Sequence, residues 1–466
     1  MQVTSFPQTL QMRTVNRSTI AFLSFFIALE LPLAAQTSTR HAYPEQATRL
    51  VQDLAAGRFA AAEERFDSKM ARELPEEKLS SVWKDLTTQS GQFQKVIAND
   101  LTIESDGYQV VTLLCAFDRN QEVNALISFD ESGHIVGLYF GPKPTEEPPQ
   151  WTPPMYIDAK RFHEISVTVS VGLWHLPGTL ALPNSSGPFP VVVLVPGSPP
   201  LDQDATFGPN KLFKDLAWGL ANSGVAVLRY TKRTHLTGAG LGAGQVSSFS
   251  LREELLNDAD AALKTLDARS EIDHRHIYLL GHSLGGFAVP KLAAVSPQVA
   301  GIVVMGTPAG ELLTALIMRA EAASEGRQPD QQTSTMIGVL KKLRSGDFAS
   351  GETVELFGQT TVVSYWDSFR NFQPGTTVAG LRIPALILVG GHDAEVTHDD
   401  FDQWKRALAK RADDTAKLYP DVFHLFMPSA STKKGQDSPD DWTRPAHVTL
   451  EIVQDIASWI LLHAKN

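Results

Sequence analysis

The stretch IYLLGHSLGG, residues 277–286, sets Ser283 between Gly281 and Gly285 directly after an apolar run. The segment GFAVPKLAAV, which begins at Gly286, has the spacing of a helix. A strand that turns this sharply into a helix leaves no room for Cβ atoms on either side of the turn. Glycines are therefore expected at 281 and 285. Ser283 itself would take an unfavourable backbone conformation, a strain tolerated mainly where the residue has chemistry to perform. The plainer alternative is an ordinary turn between a buried strand and a helix. The two readings separate only if partners for a nucleophile exist elsewhere in the chain.

Working outward, FPVVVLVPG, VAVLRY, HIYLLGH, AGIVVMG and PALILVGG are short β-branched runs separated by helical stretches. None alternates apolar with polar, as expected for strands of a mostly parallel sheet covered on both faces. ISVTVSVGLW and GTLALP read as a leading antiparallel pair. The fold class is α/β, and in such sheets chemistry gathers at the carboxyl ends of the strands.

A serine hydroxyl near neutral pH needs a general base, and the base needs an acid to orient it. The expected chain order in this architecture is serine, acid, histidine. Asp393, in PALILVGGHDAEVT, lies just past a strand; Glu395, Asp399 and Asp400 are its rivals, further from the strand end. His424, in LYPDVFHLF, lies in an aromatic-flanked loop after the short strand AKLYP. The competitor, His447, is expected to open the terminal helix and to sit at the surface. An oxyanion would be held by the backbone N–H of Leu284, at the head of the helix after the turn. The second donor is sought in PGSPP, where Pro196, Pro199 and Pro200 have no N–H. That leaves Gly197 and Ser198, and Ser198 is taken.

With 466 residues the chain has room for more than one core. PEQATRLVQDLAAGRFAAAEERF and PEEKLSSVWKDL read as helices, and FQKVIA, YQVVTLLCAF, EVNALISF and IVGLYF as an antiparallel meander. Residues 43–140 are thus expected to form a small α+β unit, 141–155 a proline-rich linker, and 156–466 the catalytic unit. Arg13 and Arg17 precede an apolar run ending at Ala34 and Ala35, so residues 1–35 read as a signal peptide, tidier if translation starts at Met12. Export to the periplasm or beyond is expected, with no membrane anchor left after cleavage. Cys115, the single cysteine, allows no internal disulfide, and no Cys/His cluster has metal-ligand spacing. A net charge of -11 with no basic run argues against a nucleic-acid partner.

Two further regions carry expectations. Residues 307–380 form a long insertion whose ELLTALIMRAEAASEG and TSTMIGVLKKLRSGDF are amphipathic, as a cap over the site would be. Asp202, Asp204 and Arg233, in LDQDAT and RYTKRT, are candidates for an acidic–basic brace of the oxyanion loop.

From about Phe162 to Ile460 the chain resembles the α/β-hydrolases, and within them bacterial esterases grouped with serine aminopeptidase-like proteins. The resemblance rests on VPGSPPLDQDATFGPNKLFKDLAWGLANSGVAVLRYTKRT, LLGHSLGGFAVPKLA, YWDSF, LILVGGHDAEVTHDDFDQWK and YPDVFHLF. It implies Ser283 as nucleophile, Asp393 as acid, His424 as base and Ser198 with Leu284 as oxyanion donors, without cofactor or metal. It departs from the pattern at Pro196, where a histidine is usual, and at His392 and Ala394 beside the acid. The N-terminal unit resembles a small domain of unknown function, cystatin- or NTF2-like in shape. Hydrolysis of a small carboxylic ester is the expected activity. The alternatives are amide hydrolysis by the same residues, for which Glu311, Glu321 and Glu325 are candidate amine-binding acids, and a non-catalytic binding role.

Overall fold

In the computed structural model, residues 2–3, 43–103, 109–119, 121–130, 132–142, 150–236, 249–322, 329–349, 351–357 and 359–465 are described. The segment read as a signal peptide lies outside them except for Gln2–Val3, as does Glu325. The described residues divide into two compact units, one ending at Pro142 and the other beginning at Gln150.

The second unit is built on eight strands: β1 (Phe162–Val171), β2 (Trp174–Pro183), β3 (Phe189–Val195), β4 (Ala226–Tyr230), β5 (Ile272–His282), β6 (Val299–Met305), β7 (Ala385–Gly390) and β8 (Thr415–Tyr419). Their order across the sheet is β8-β7-β6-β5-β3-β4-β2-β1. The first two strands pair antiparallel, β2 is antiparallel to β4, and the remaining pairs are parallel. The continuous apolar runs arise from cover on both faces. In β3, Val191, Val193 and Val195 enter one core with Leu279, Ile302 and Phe287. Val192 and Leu194 enter the other with Leu216, Leu280, Met305 and Ile456. Helices Leu212–Asn222 and Leu450–His463 cover this second face.

Between β6 and β7 the insertion forms helices Leu312–Ala322 and Gln331–Ser345, a hairpin of Thr353–Leu356 with Gln359–Val362, and short helices Val363–Asp367 and Pro374–Gly380. The hairpin is not foreseeable from sequence, because two four-residue strands leave too short a pattern to read.

In the first unit, helices Tyr43–Ala55 and Glu76–Ser90 pack Leu50, Leu54, Leu79 and Trp83 on one face of an antiparallel sheet. Two shorter helices, Phe59–Glu63 and Ser68–Glu73, lie between them. The sheet strands Phe93–Ile103, Gln109–Phe117, Gln121–Phe129 and Ile135–Pro142 run in sequence order. Here one face is covered, and the strands alternate accordingly: Leu113, Cys115 and Phe117 point inward. Burial pushes the Cys115 thiol up to about 12, so it stays protonated and inert. No described helix is long and apolar enough to cross a membrane.

Candidate active site

Ser283 stands between β5 and helix Leu284–Ala293 with φ 53° and ψ -118°. This is the left-handed half of backbone space, costly for any residue with a side chain. Three bonds hold it there: its N–H donates to Met305 O at 2.9 Å, and its carbonyl accepts from Gly286 N (2.9 Å) and Thr307 Oγ1 (2.8 Å). The flanking glycines are obligatory. A Cβ on Gly281 would overlap the Gly285 carbonyl and lie 2.7 Å from Gly286 N. On Gly285 it would overlap the Val195 carbonyl and lie 2.9 Å from Pro196 O.

Asp393 lies just past β7 and is fully buried. Its Oδ1 accepts from the backbone N–H groups of Glu395 (2.7 Å) and Val396 (3.0 Å), which fixes the carboxylate plane. Its Oδ2 accepts from His424 Nδ1 at 2.8 Å. In the neutral form of the ring, the proton on Nδ1 leaves Nε2 of His424 as the acceptor. The His424 loop is pinned from below by Phe423, Leu425, Phe426 and Met427, all fully buried. A Cβ on Gly306, at the end of β6, would lie 3.2 Å from His424 Cε1. Ser283 and His424 thus flank the carboxyl end of one strand, the serine amide on Met305 and the imidazole on Gly306.

His282, beside Ser283, ties the two loops together: its Nε2–H donates to the carbonyl of His424 at 2.9 Å. Burial, and then the adjacent charge of His424, push His282 down to about 3, so it remains neutral and keeps this bond. Sequence reasoning passes over His282, since a histidine inside an elbow carries no signal of where its ring points. Among the described residues, no hydrogen bond joins the Ser283 hydroxyl to His424. Nε2 of His424 lies 3.7 Å from Glu395 Oε2, and Glu395 in turn pairs with Arg319 of the insertion at 3.4 Å. Burial disfavours the His424 cation, but the carboxylates of Asp393 and Glu395 outweigh it and raise the group to about 9.

A pocket opens beside Ser283. Ser198, Ser283 and Leu284 line it together with Phe287, Leu312, Leu316, Phe357, Tyr365 and Trp366. Both expected oxyanion residues therefore face the cavity that Ser283 faces, and the insertion supplies most of its apolar wall. Arg319 and Glu395 are its charged wall.

Asp204 and Arg233 do not meet. Asp204 binds Arg229 (3.0 Å), Lys211 (3.0 Å) and Lys214 (3.7 Å), whose charges overcome the effect of burial and hold its carboxyl below the ordinary range. Arg233 pairs with Asp258, and Asp202 accepts from Thr206 N and Oγ1 within its own turn. His447 does not open the terminal helix, which starts at Leu450. It is half-buried, with Nδ1 3.1 Å from Asp215. Asp400 closes a capping box with Thr397, and Asp399 is the exposed residue before it. No group of three or more metal-ligating side chains exists among the described residues.

An eight-stranded sheet of this order, with a serine elbow after its central strand and an Asp–His pair from later loops, defines a class of protein. Residues 192–432, just over half the chain, match the Alpha/beta hydrolase family, and the chain belongs to it. Residues 47–138 match a protein family of unknown function (DUF3887). Esterase EstD of Thermotoga maritima is 30% identical over 420 residues, spanning 90% of this chain and 96% of that protein. The chain is also similar to many solved structures. Hypothetical protein PA2218 of Pseudomonas aeruginosa has 17% identity and a TM-score of 0.43, covering 69% of this chain and 98% of that one. Est1E of Butyrivibrio proteoclasticus, with ferulic acid bound, has 15% identity and a TM-score of 0.42, covering 64% and 100%.

Proposed function

We propose that this hydrolase cleaves small carboxylic esters through Ser283, His424 and Asp393. The observation that carries the reading is the strained Ser283 facing an apolar pocket, with the buried Asp393–His424 bond at 2.8 Å beside it. Ser283 Oγ attacks the ester carbonyl as its proton passes to His424 Nε2; the hydrogen bond between them forms as substrate arrives, when such contacts commonly tighten. Asp393 stabilises the imidazolium. The N–H groups of Ser198 and Leu284 receive the oxyanion, each donor contributing about 10²–10³-fold. The imidazolium then protonates the leaving alkoxide, and the C–O bond breaks to leave an acyl-enzyme. Water, deprotonated by His424, attacks the acyl carbon, and Ser283 Oγ departs with the proton as the acid is released.

Aromatic and aliphatic walls favour an uncharged acyl or alkyl group of short to medium length. A panel of nitrophenyl esters and aminoacyl-nitroanilides, run beside fluorophosphonate labelling of Ser283, tests the choice. Ester turnover is expected to exceed amide turnover by at least about a hundredfold, in line with a pocket whose carboxylate, among the described residues, already has a cationic partner. Glu395, the carboxylate on the pocket wall, is engaged by Arg319, Glu321 pairs with Lys341, and Glu311 caps Asn371 N. Faster amide turnover would replace the ester reading with the peptidase one. Absence of labelling would favour a binding protein.

The base works in its neutral form, so kcat/KM should rise with pH through the His424 transition. With His424 raised to about 9, that acid limb falls on the alkaline side of neutral. Glu395→Gln removes one of the carboxylates that stabilise the cation, so the neutral base appears at lower pH. The limb should move down by about one pH unit. A pH–rate profile checks it, and a limb that stays in place would take Glu395 out of the electrostatics of the base.

A further inference from the structure

Lys232 lies just beyond β4 with its side chain 1% exposed. A buried ammonium is tolerated only where its charge and donors are matched. One partner is the carboxylate of Glu254, itself buried, in the wide π-helical turn Arg252–Leu256. The other is the carbonyl of Gly197, at 3.0 Å from Nζ. The backbone N–H of the same lysine donates to Leu201 O at 3.1 Å. One residue therefore holds both ends of the segment Gly197–Leu201, in which Pro199 and Pro200 have no N–H of their own to make local bonds.

The Gly197 carbonyl and the Ser198 N–H belong to one peptide group, and in a trans peptide they point in opposite directions. Fixing the oxygen on Lys232 fixes the N–H on the other side. Ser198 lines the pocket with Ser283 and Leu284. We propose that Lys232, held by Glu254, is a positioning residue of the oxyanion hole: it aims the Ser198 amide at the developing oxyanion. The inference rests on the hydrolase reading and adds to it the device that sets one of the two donors.

The contact has two physical consequences. A cation on the carbonyl oxygen polarises the amide, so the Ser198 N–H is a stronger donor than an unassisted one. The device also reaches the insertion, because Tyr365 of the pocket wall lies beside Glu254. Burial first, and then that carboxylate, raise the Tyr365 hydroxyl well above its ordinary value and keep it protonated. The same stretch of sequence, RYTKRT, holds Arg229, Lys232 and Arg233, and of these the lysine is the one whose charge contacts the loop.

Replacing Lys232 singly would strand the Glu254 charge, so the test uses the double variant Lys232→Met/Glu254→Gln, which leaves no buried charge unpaired. Three measurements are made on the full chain: kcat and KM for a nitrophenyl ester, affinity for a trifluoromethyl ketone, and affinity for the matching methyl ketone. The trifluoromethyl ketone adds Ser283 to form an oxyanion in the hole, whereas the methyl ketone binds without that addition. We expect kcat to fall by about thirty- to a hundredfold with KM within about twofold, as for partial loss of one donor. Trifluoromethyl ketone affinity should fall in step, methyl ketone affinity should hold, and the melting temperature should stay within a few degrees. Lys232→Gln/Glu254→Gln keeps an amide donor for the Gly197 carbonyl and should recover part of the loss. If the Met/Gln pair does not fold, this variant carries the test, with a smaller loss, about tenfold, in the same two quantities. Unchanged kcat and trifluoromethyl ketone affinity in a folded variant would overturn the proposal, as would equal losses for both ketones. If wild type binds both ketones alike and Ser283→Ala leaves turnover intact, the hydrolase reading falls and the brace with it.

Discussion

Ser283→Ala is expected to lower kcat/KM for esters by about 10⁶-fold while the protein remains folded. The serine contributes no packing that alanine cannot replace, since it lines the pocket and its backbone bonds to Met305, Gly286 and Thr307 survive. Ser283→Gly should be equally inactive but more stable than Ser283→Ala. At φ 53° glycine escapes the steric cost that serine and alanine share, a difference of about 1 kcal/mol. The pair of variants separates two statements about one residue, that it is the nucleophile and that its backbone is strained. Turnover and fluorophosphonate labelling read the first, and thermal unfolding reads the second. Retention of more than about one percent of ester turnover in the alanine variant would transfer the chemistry to another group. A glycine variant no more stable than alanine would deny the strain.

The parts of this molecule legible in the sequence are those written by short-range rules. Continuous apolar runs give the central strands because both sheet faces are covered, and Gly281 and Gly285 mark the elbow because backbone carbonyls stand where their Cβ atoms would be. Asp393 and His424 are legible as residues just past strand ends, and the structure joins them at 2.8 Å. Direction stays hidden. Arg229, Lys232 and Arg233 fall within five positions, yet the chain leaves β4 there and turns into the short helix Arg233–Leu236. The three side chains consequently leave in three directions, to Asp204, to the Gly197 carbonyl and to Asp258. The brace expected of Asp202, Asp204 and Arg233 does not form, and the residue of this segment whose charge meets the Gly197 carbonyl is the lysine between the two arginines. The Arg319–Glu395 pair is hidden for a different reason, since it joins a cap helix to the acid loop across 76 positions.

Gly285→Ala is expected to cost more than about 4 kcal/mol and to leave little soluble enzyme. The new methyl would be driven into the carbonyl of Val195 and would meet that of Pro196 at 2.9 Å. These are backbone atoms at the end of β3, paired with β5 on one side and β4 on the other, so no rotamer change can make way. Any chain that does fold must displace either the elbow or the first residues of the oxyanion loop, and in both cases the distance from Ser283 to the Ser198 amide changes. Stability and kcat should therefore fall together, unlike the Ser283 variants, in which activity falls alone. Gly338 supplies the opposite sign. It sits in helix Gln331–Ser345, and a Cβ there meets nothing within 4 Å. Gly338→Ala should stabilise by about 0.5–1 kcal/mol through helix propensity. Chemical denaturation of both variants decides the matter: a Gly285→Ala protein with wild-type stability would mean that the strand, the elbow and the oxyanion loop are not the interlocked unit on which the proposed chemistry depends.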